Sequence, residues 1–448
     1  MHIQYQYISS EYHRRYQRHI FKRRRIIRND SRTMSRRYDY KFEVTKLKAI
    51  MSTFLREFND KGYIDQKYTI NQGYIKIPTY FSFKYQFNDS IKVYKEFLSE
   101  FLLGSHTITI DFSNCKHADI ANFALLNICR QALLEFYNKY NANQYKQIVR
   151  KILALPSHLD NKTNKYLVTF KYIPLSSDID DGSQFMPLDL MRGRHSSSYR
   201  GNVKSGTASI VSSFVKKAAS PYGYELTTHT ESLIEGYVGE VLNNAEDHSL
   251  QQSEWYVNGM CFHEIQHGVD VIEVNLAIMN IGPSMYEGFE KTKEKNITIY
   301  QKLEKYYEIH KKQFSITNHF ERENLFMLYM LNDGISRLKY EDSSRGNGTM
   351  NFIDAFIKLG DYGEENEQFL PCLNIISGHS VLTCDSRYKP FVQNKVHRIS
   401  LNKEQDQTKL PDKNYLHYNS SYFPGTILEC KIYLNKEHIQ KHQNIINI

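Results

Sequence analysis

The chain has one tryptophan in 448 residues and six cysteines placed without pattern. Cys115, Cys129, Cys261, Cys372, Cys384 and Cys430 form neither a Cys-x-x-Cys pair nor a Cys/His ligand spacing. That argues against a zinc centre and against a disulfide framework, and favours a reducing, cytoplasmic setting. No apolar run approaches the roughly 18 residues a membrane span needs. The N-terminus has basic residues but no apolar core after them, so no secretory signal is expected.

Hydrophobic residues make up 41% of the chain, with 34 Tyr and 25 Phe, and the length is enough for two or three domains with sizeable cores. The net charge of +9 is concentrated at the start: residues 1–40 hold eleven Arg or Lys against three acids, densest at Lys22-Arg23-Arg24-Arg25. Tyr5, Tyr7, Tyr12 and Tyr16 interleave with these charges. A basic arm of this kind suits nucleic-acid phosphates with tyrosines for base stacking, an acidic partner or anionic lipid, or simply a solvated terminus.

Residues 41–65 carry apolar residues at helical spacing. Short extended segments follow at Tyr74–Pro78 and Tyr80–Phe83. A helix is expected over Asp89–Leu103, a buried-type strand over Thr107–Phe112, and a helix over Ala118–Phe136. Strand, loop and helix suggest a small α/β unit over 41–165. Within it, Asp111, Ser113 and Asp119 lie in a pattern that resembles the central strand and loop of STAS domains. Ile120-Ala121-Asn122 stand where that family has Ser-Ser-Gly. The resemblance implies a STAS-like interaction module without the phosphoacceptor serine; the plain alternative is an ordinary strand–loop–helix unit.

Residues 166–205 are polar and irregular, and read as a linker or mobile loop. Arg194, His195 and Ser197 could form a phosphate cluster there, but a solvated linker explains their density better.

Past the middle, Ala208–Ala219 and Thr230–Asn244 read as two helices. On the second, Glu240 and Asn244 are four apart and share one face. An amide oxygen can ligate Mg²⁺ and a carboxylate can take a proton from water; a solvated helix face has the same pattern. An apolar strand, Val271–Asn280, then ends in Ile281-Gly282-Pro283-Ser284. Later come the Gly-rich Arg345-Gly346-Asn347-Gly348-Thr349 opening a helix, strands at Leu373–Gly378 and Ser380–Cys384, and Gly425-Thr426 before a last strand, Ile427–Leu434. A Gly-rich turn at a helix N-terminus offers amide N–H groups to phosphate.

This order, over residues 206 to 436, resembles the GHKL ATPase superfamily of gyrase-type topoisomerases, 90-kDa heat-shock chaperones, sensor histidine kinases and mismatch-repair ATPases. The resemblance implies a Bergerat-type α/β sandwich, a mixed sheet covered by helices, binding ATP with Mg²⁺. By the same resemblance, Glu240 activates water and Asn244 holds Mg²⁺, with Asp247 and His248 closing that box. Asn280 and Gly282 belong to the adenine box, Arg345, Gly346, Gly348 and Thr349 lie under the phosphates, and Thr426 supports the adenine contact. Residues 286–344 would be a basic lid. Asn280 stands where the family has Asp, and Ser284 replaces the second glycine of the adenine box. The expected activity is ATP hydrolysis driving lid closure and association with a partner or a second copy, in bacterial signalling or defence. The alternatives are a protein kinase of histidine-kinase or anti-sigma type, and a non-catalytic interaction protein.

Overall fold

The computed structural model describes residues 48, 51–65, 71–103, 107–142, 151–176, 179, 184–194, 200–220, 226–248, 254–266, 268–312, 320–332, 350, 353, 369–393 and 396–434. The chain divides into two units, 1–51 and 52–448. The basic arm expected over 1–40 lies outside the described residues.

The second unit opens with α1 (Thr53–Asp60), where the Ser52 hydroxyl accepts from Leu55 N at 3.3 Å and Phe54, Leu55 and Phe58 turn inward. A three-stranded parallel sheet follows, ordered β1 (Tyr74–Lys76), β3 (Thr107–Asp111), β5 (Lys151–Leu155). Parallel neighbours need crossovers, and α2 (Phe87–Leu103) and α3 (Ile120–Ala142) supply them. The two extended segments near Tyr74 and Tyr80 do not pair with each other. β1 joins β3, while β2 (Tyr80–Phe81) joins β4 (His117–Ala118). Phe112 and Tyr166 each stack on Phe123, with ring centroids 5.6 and 4.7 Å away. Tyr166 comes from α4 (Asn161–Thr169), whose N-terminus is capped by Asp160.

The dominant sheet has five strands, ordered β6 (Phe185–Arg194), β7 (Glu254–Gln266), β8 (Val269–Ile281), β12 (Leu416–Leu434), β9 (Cys372–Asp385). A separate two-stranded ribbon pairs β10 (Phe391–Gln393) with β11 (Val396–Arg398). The fold class is α/β, with helices and several sheets. Three sequence expectations change. The five-stranded sheet is antiparallel throughout, not mixed, because β7 and β8 form a tight hairpin and β12 returns between β8 and β9; the parallel pairings sit in the smaller sheets. The segment 166–205 is not only linker: β6 hydrogen-bonds along β7 as an edge strand, where one exposed face tolerates polar residues. The strands expected at 373–378 and 380–384 are one strand, β9, running through Gly378 at φ 61°.

The sheet is the middle of three layers. On its front lie α5 (Arg200–Ala219), α6 (Thr228–His248), α7 (Met285–Glu290), α8 (Ile297–Lys311) and α9 (Arg322–Met330), sharing one apolar core with the strands. On its back lies α3 of the parallel unit, against β7, β8 and β12. Alternation along β8 sends Ile272, Val274 and Ile278 into the front core, and Glu273 and Asn275 to the back.

Candidate functional site

Register aligns one residue from each strand across the sheet: Gly193 faces Trp255, Trp255 faces Asn280, Asn280 faces Thr426, and Thr426 faces Ser377. Directly opposed residues point to the same face, so this transverse row lies on the front. Trp255 stands almost fully buried at one side of Asn280. Its indole occupies the space a side chain at Gly193 would need, 2.1 Å from where a Cβ would stand. On the other side, the Thr426 and Ser377 hydroxyls are 2.9 Å apart, and Ser377 Oγ also accepts from Met285 N at 2.9 Å.

Asn280 is buried, and its Nδ2 has no hydrogen-bond partner among the described residues. Burying an amide without a partner costs roughly 1–3 kcal/mol. The backbone around it is tightly drawn. Gly425 has φ 134°, and a Cβ there would stand 2.0 Å from the Asn280 carbonyl oxygen, so only glycine fits. Gly282 N–H donates to Pro424 O at 3.3 Å, closing the strand end.

Helix α6 crosses this end of the row. Its buried stripe is Ile234, Val238, Val241, Leu242 and Ala245. One flank is taken by α5: Lys204 Nζ lies 2.7 Å from Asn243 Oδ1 and 2.9 Å from Glu246, and Lys216 pairs with Glu231 at 2.6 Å. Glu246 in turn accepts from Trp255 Nε1 at 3.1 Å, which fixes the end of α6 over the row. Glu240 and Asn244, both half-buried, lie on the flank away from α5. Asp247 and His248 lie in the last turn of α6, with side chains outside the described residues.

Ser284, read as a lost glycine, has a structural role of its own. It caps α7 in a capping box: its Oγ accepts from Glu287 N, and Glu287 Oε2 accepts from Ser284 N, each at 3.1 Å. Glu287 is held further by Lys61 Nζ at 2.7 Å and by the Tyr422 hydroxyl. The first helix of the segment read as a lid is therefore pinned at its start. Arg345, Gly346, Gly348 and Thr349 lie outside the described residues.

No family model, curated protein or solved structure matches this chain.

The structure thus brings Asn280 and Thr426 side by side and turns Glu240 and Asn244 toward the same side of α6. Sequence reading missed Ser377 and the Lys204–Glu246–Trp255 chain. A buried acid two residues after Asn244, beside the chain's one tryptophan, was the available signal. Among the described residues no group of three or more His, Cys, Asp or Glu is placed to hold a metal. The donors on α6, one amide and one carboxylate, fit Mg²⁺, which takes one or two protein ligands and completes its shell with water and phosphate oxygens.

Proposed function

We propose that the front of the sheet binds ATP in the manner of the GHKL superfamily and hydrolyses it with Mg²⁺, with Glu240 as the base that takes a proton from water. The observation that carries the reading is the buried amide of Asn280, with its unpartnered Nδ2, beside the Thr426 hydroxyl on the face covered by α6. A carboxamide complements adenine, offering Oδ1 to the 6-amino group and Nδ2 to a ring nitrogen. Thr426, steadied by Ser377, presents a hydroxyl next to it. Asn244 offers an amide oxygen to the metal, and Mg²⁺ when bound neutralises phosphate charge. Adenine contact and metal contact fall on different elements, so nucleotide bridges β8 and α6. The Glu246–Trp255 link ties α6 to β7, the strand paired with β8.

The single tryptophan makes the test direct. Trp255 sits beside Asn280 and touches α6, so its fluorescence reports on this site alone. Titration with ATP and Mg²⁺ changes the Trp255 signal. Glu240→Ala keeps that change and loses turnover; Asn244→Ala loses the Mg²⁺ dependence. An unchanged fluorescence at millimolar nucleotide removes the reading in favour of a non-catalytic interaction protein, the alternative favoured by Ser284 acting as a helix cap. An amide can present either its oxygen or its N–H groups to a purine edge, so wild type is expected to discriminate weakly between ATP and GTP.

A further inference from the structure

The back of the five-stranded sheet carries a second concentration of chemistry. Glu273 and Asn275 of β8, Glu429 and Lys431 of β12, and Asn374 of β9 all point away from the front core. Between them and the parallel α/β unit is a cavity of about 410 Å³, within the size range of small-molecule sites.

The carboxylates lining it have close partners. Glu273 accepts from Lys162 at 2.7 Å and from Asn275 at 2.9 Å. Glu429 accepts from Ala121 N at the start of α3 and from Asn374 Nδ2, each at 3.0 Å. Asp385 accepts from the Tyr415 hydroxyl and from Arg387 N, each at 2.8 Å. Asp160 caps α4. The cations are less well matched. Lys431 Nζ comes no nearer than 3.8 Å to a carboxylate oxygen among the described residues, that of Glu273. Lys84 Nζ has the Cys372 thiol, at 3.6 Å, as its hydrogen-bond partner. Both lysines are held protonated. For Lys431 the largest cause is Glu273; for Lys84, burial opposes the charge but Cys372 and neighbouring groups outweigh it. Across the cavity the Asp119 Oδ2 is buried without a hydrogen-bond partner, while His117 pairs with Oδ1 at 2.7 Å.

Two ammonium groups of this cavity, Lys84 and Lys431, lack a close anion, while its carboxylates other than Asp119 are fully partnered, which leaves room for a negative ligand at those two lysines. We infer that it binds a small polar molecule through one anionic group, a phosphate or a carboxylate, set between Lys84 and Lys431 beside Cys372, with a hydroxyl or amino group of the same molecule meeting Asp119. This site is separate from the proposed nucleotide site, since the two lie on opposite faces of the sheet.

Cys372 is the reporter, because it lines the cavity while the other five cysteines are buried. The intact chain is alkylated in parallel with iodoacetate, an anion, and iodoacetamide, its neutral counterpart, and labelling at Cys372 is read by peptide mass analysis. The two lysines are expected to favour iodoacetate over iodoacetamide at Cys372, relative to a free thiol, by about tenfold, the scale of one charge contact in a partly screened cleft. Lys84→Gln and Lys431→Gln each lower that ratio, and millimolar inorganic phosphate or succinate protects Cys372. Protection by one and not the other identifies the anion type. Circular dichroism and the Trp255 signal confirm that each variant is folded. A ratio equal to that of a free thiol, a Cys372 inert to both reagents, or labelling indifferent to both phosphate and succinate overturns the inference. None of these outcomes depends on ATP binding, so each proposal can fail alone.

Discussion

The two faces of the five-stranded sheet come from the same residues taken alternately, yet they are built on opposite plans. The front is apolar along nearly its whole length, with polar chemistry confined to the row Trp255–Asn280–Thr426–Ser377 at one end. The back carries the buried carboxyls Glu273 and Glu429 through its middle, with the half-buried Lys431 beside them. A front of this kind holds its elements together by burial and leaves a few orphan groups for a ligand. A back of this kind holds the parallel unit to the sheet by compensated charges. Such charges are costly to bury and costlier to break than to replace. The front row should therefore be sensitive to shape, and the back to charge and pH.

The comparison breaks most sharply at Gly425. Gly425→Ala puts a Cβ against the Asn280 carbonyl at a positive φ, and is expected to cost about 4 kcal/mol, in the exceptional range for a single change. Gly268→Ala is the control: its φ is also positive but the space is open, so its cost should be about 1 kcal/mol. Urea denaturation of both variants measures the difference, and equal losses would mean the strand end is not as tightly packed as described.

On the back, Glu273→Ala leaves Lys431 and Lys162 facing each other without their shared anion, and should cost about 3 kcal/mol. Burial pushes the Glu273 carboxyl up, but Lys431 and then Lys162 outweigh it and hold it at about 2. A carboxylate with a depressed pKa adds stability above its unfolded pKa and loses it as pH falls toward the folded one. The wild-type advantage over Glu273→Ala should therefore be full at neutral pH and shrink as pH falls from about 4.5 toward 2, by denaturation at several pH values.

Glu429 gives the opposite sign. Burial, and then the neighbouring Asp119 carboxylate, push it up to about 7. A carboxyl with a raised pKa favours the fold fully below its unfolded value, and that contribution is lost as pH rises through the folded one. Wild type is expected to lose on the order of 2 kcal/mol between pH values of about 4.5 and 7 from this group, and Glu429→Gln to flatten that slope. A variant with the wild-type slope would show that the carboxyl titrates normally.

A further, local effect is expected at Trp255→Phe, which keeps an aromatic ring but loses indole volume over Gly193 and the hydrogen bond to Glu246. Thermal unfolding should show a loss of about 2 kcal/mol. If nucleotide bridges β8 and α6, ATP affinity falls with it, by calorimetry.

Much of the front was legible in the chain. The helical spacing of α6 and the apolar alternation of β8 each sit in a few consecutive residues, where periodicity acts locally, whereas the last strand, expected to start after Gly425-Thr426, starts at Leu416 and runs through them. The edge strand β6 was not legible, since Arg192, Gly193 and Arg194 look like a loop until β7 lies beside them. Neither was the single span of β9 through Gly378, because a glycine in a polar Ser-Gly-His run reads as a break.

By itself the sequence determined which residues alternate along β8 and β12, and which pair shares a face of α6, because strand and helix periods are properties of the backbone. It could not say that Glu273 and Glu429 would be buried, with Lys431 half-buried beside them. Charges on the second face of an apolar strand ordinarily meet water. Only the tertiary structure, by laying α3 and α4 over that face and setting Glu429 against the start of α3, decided that they meet each other instead.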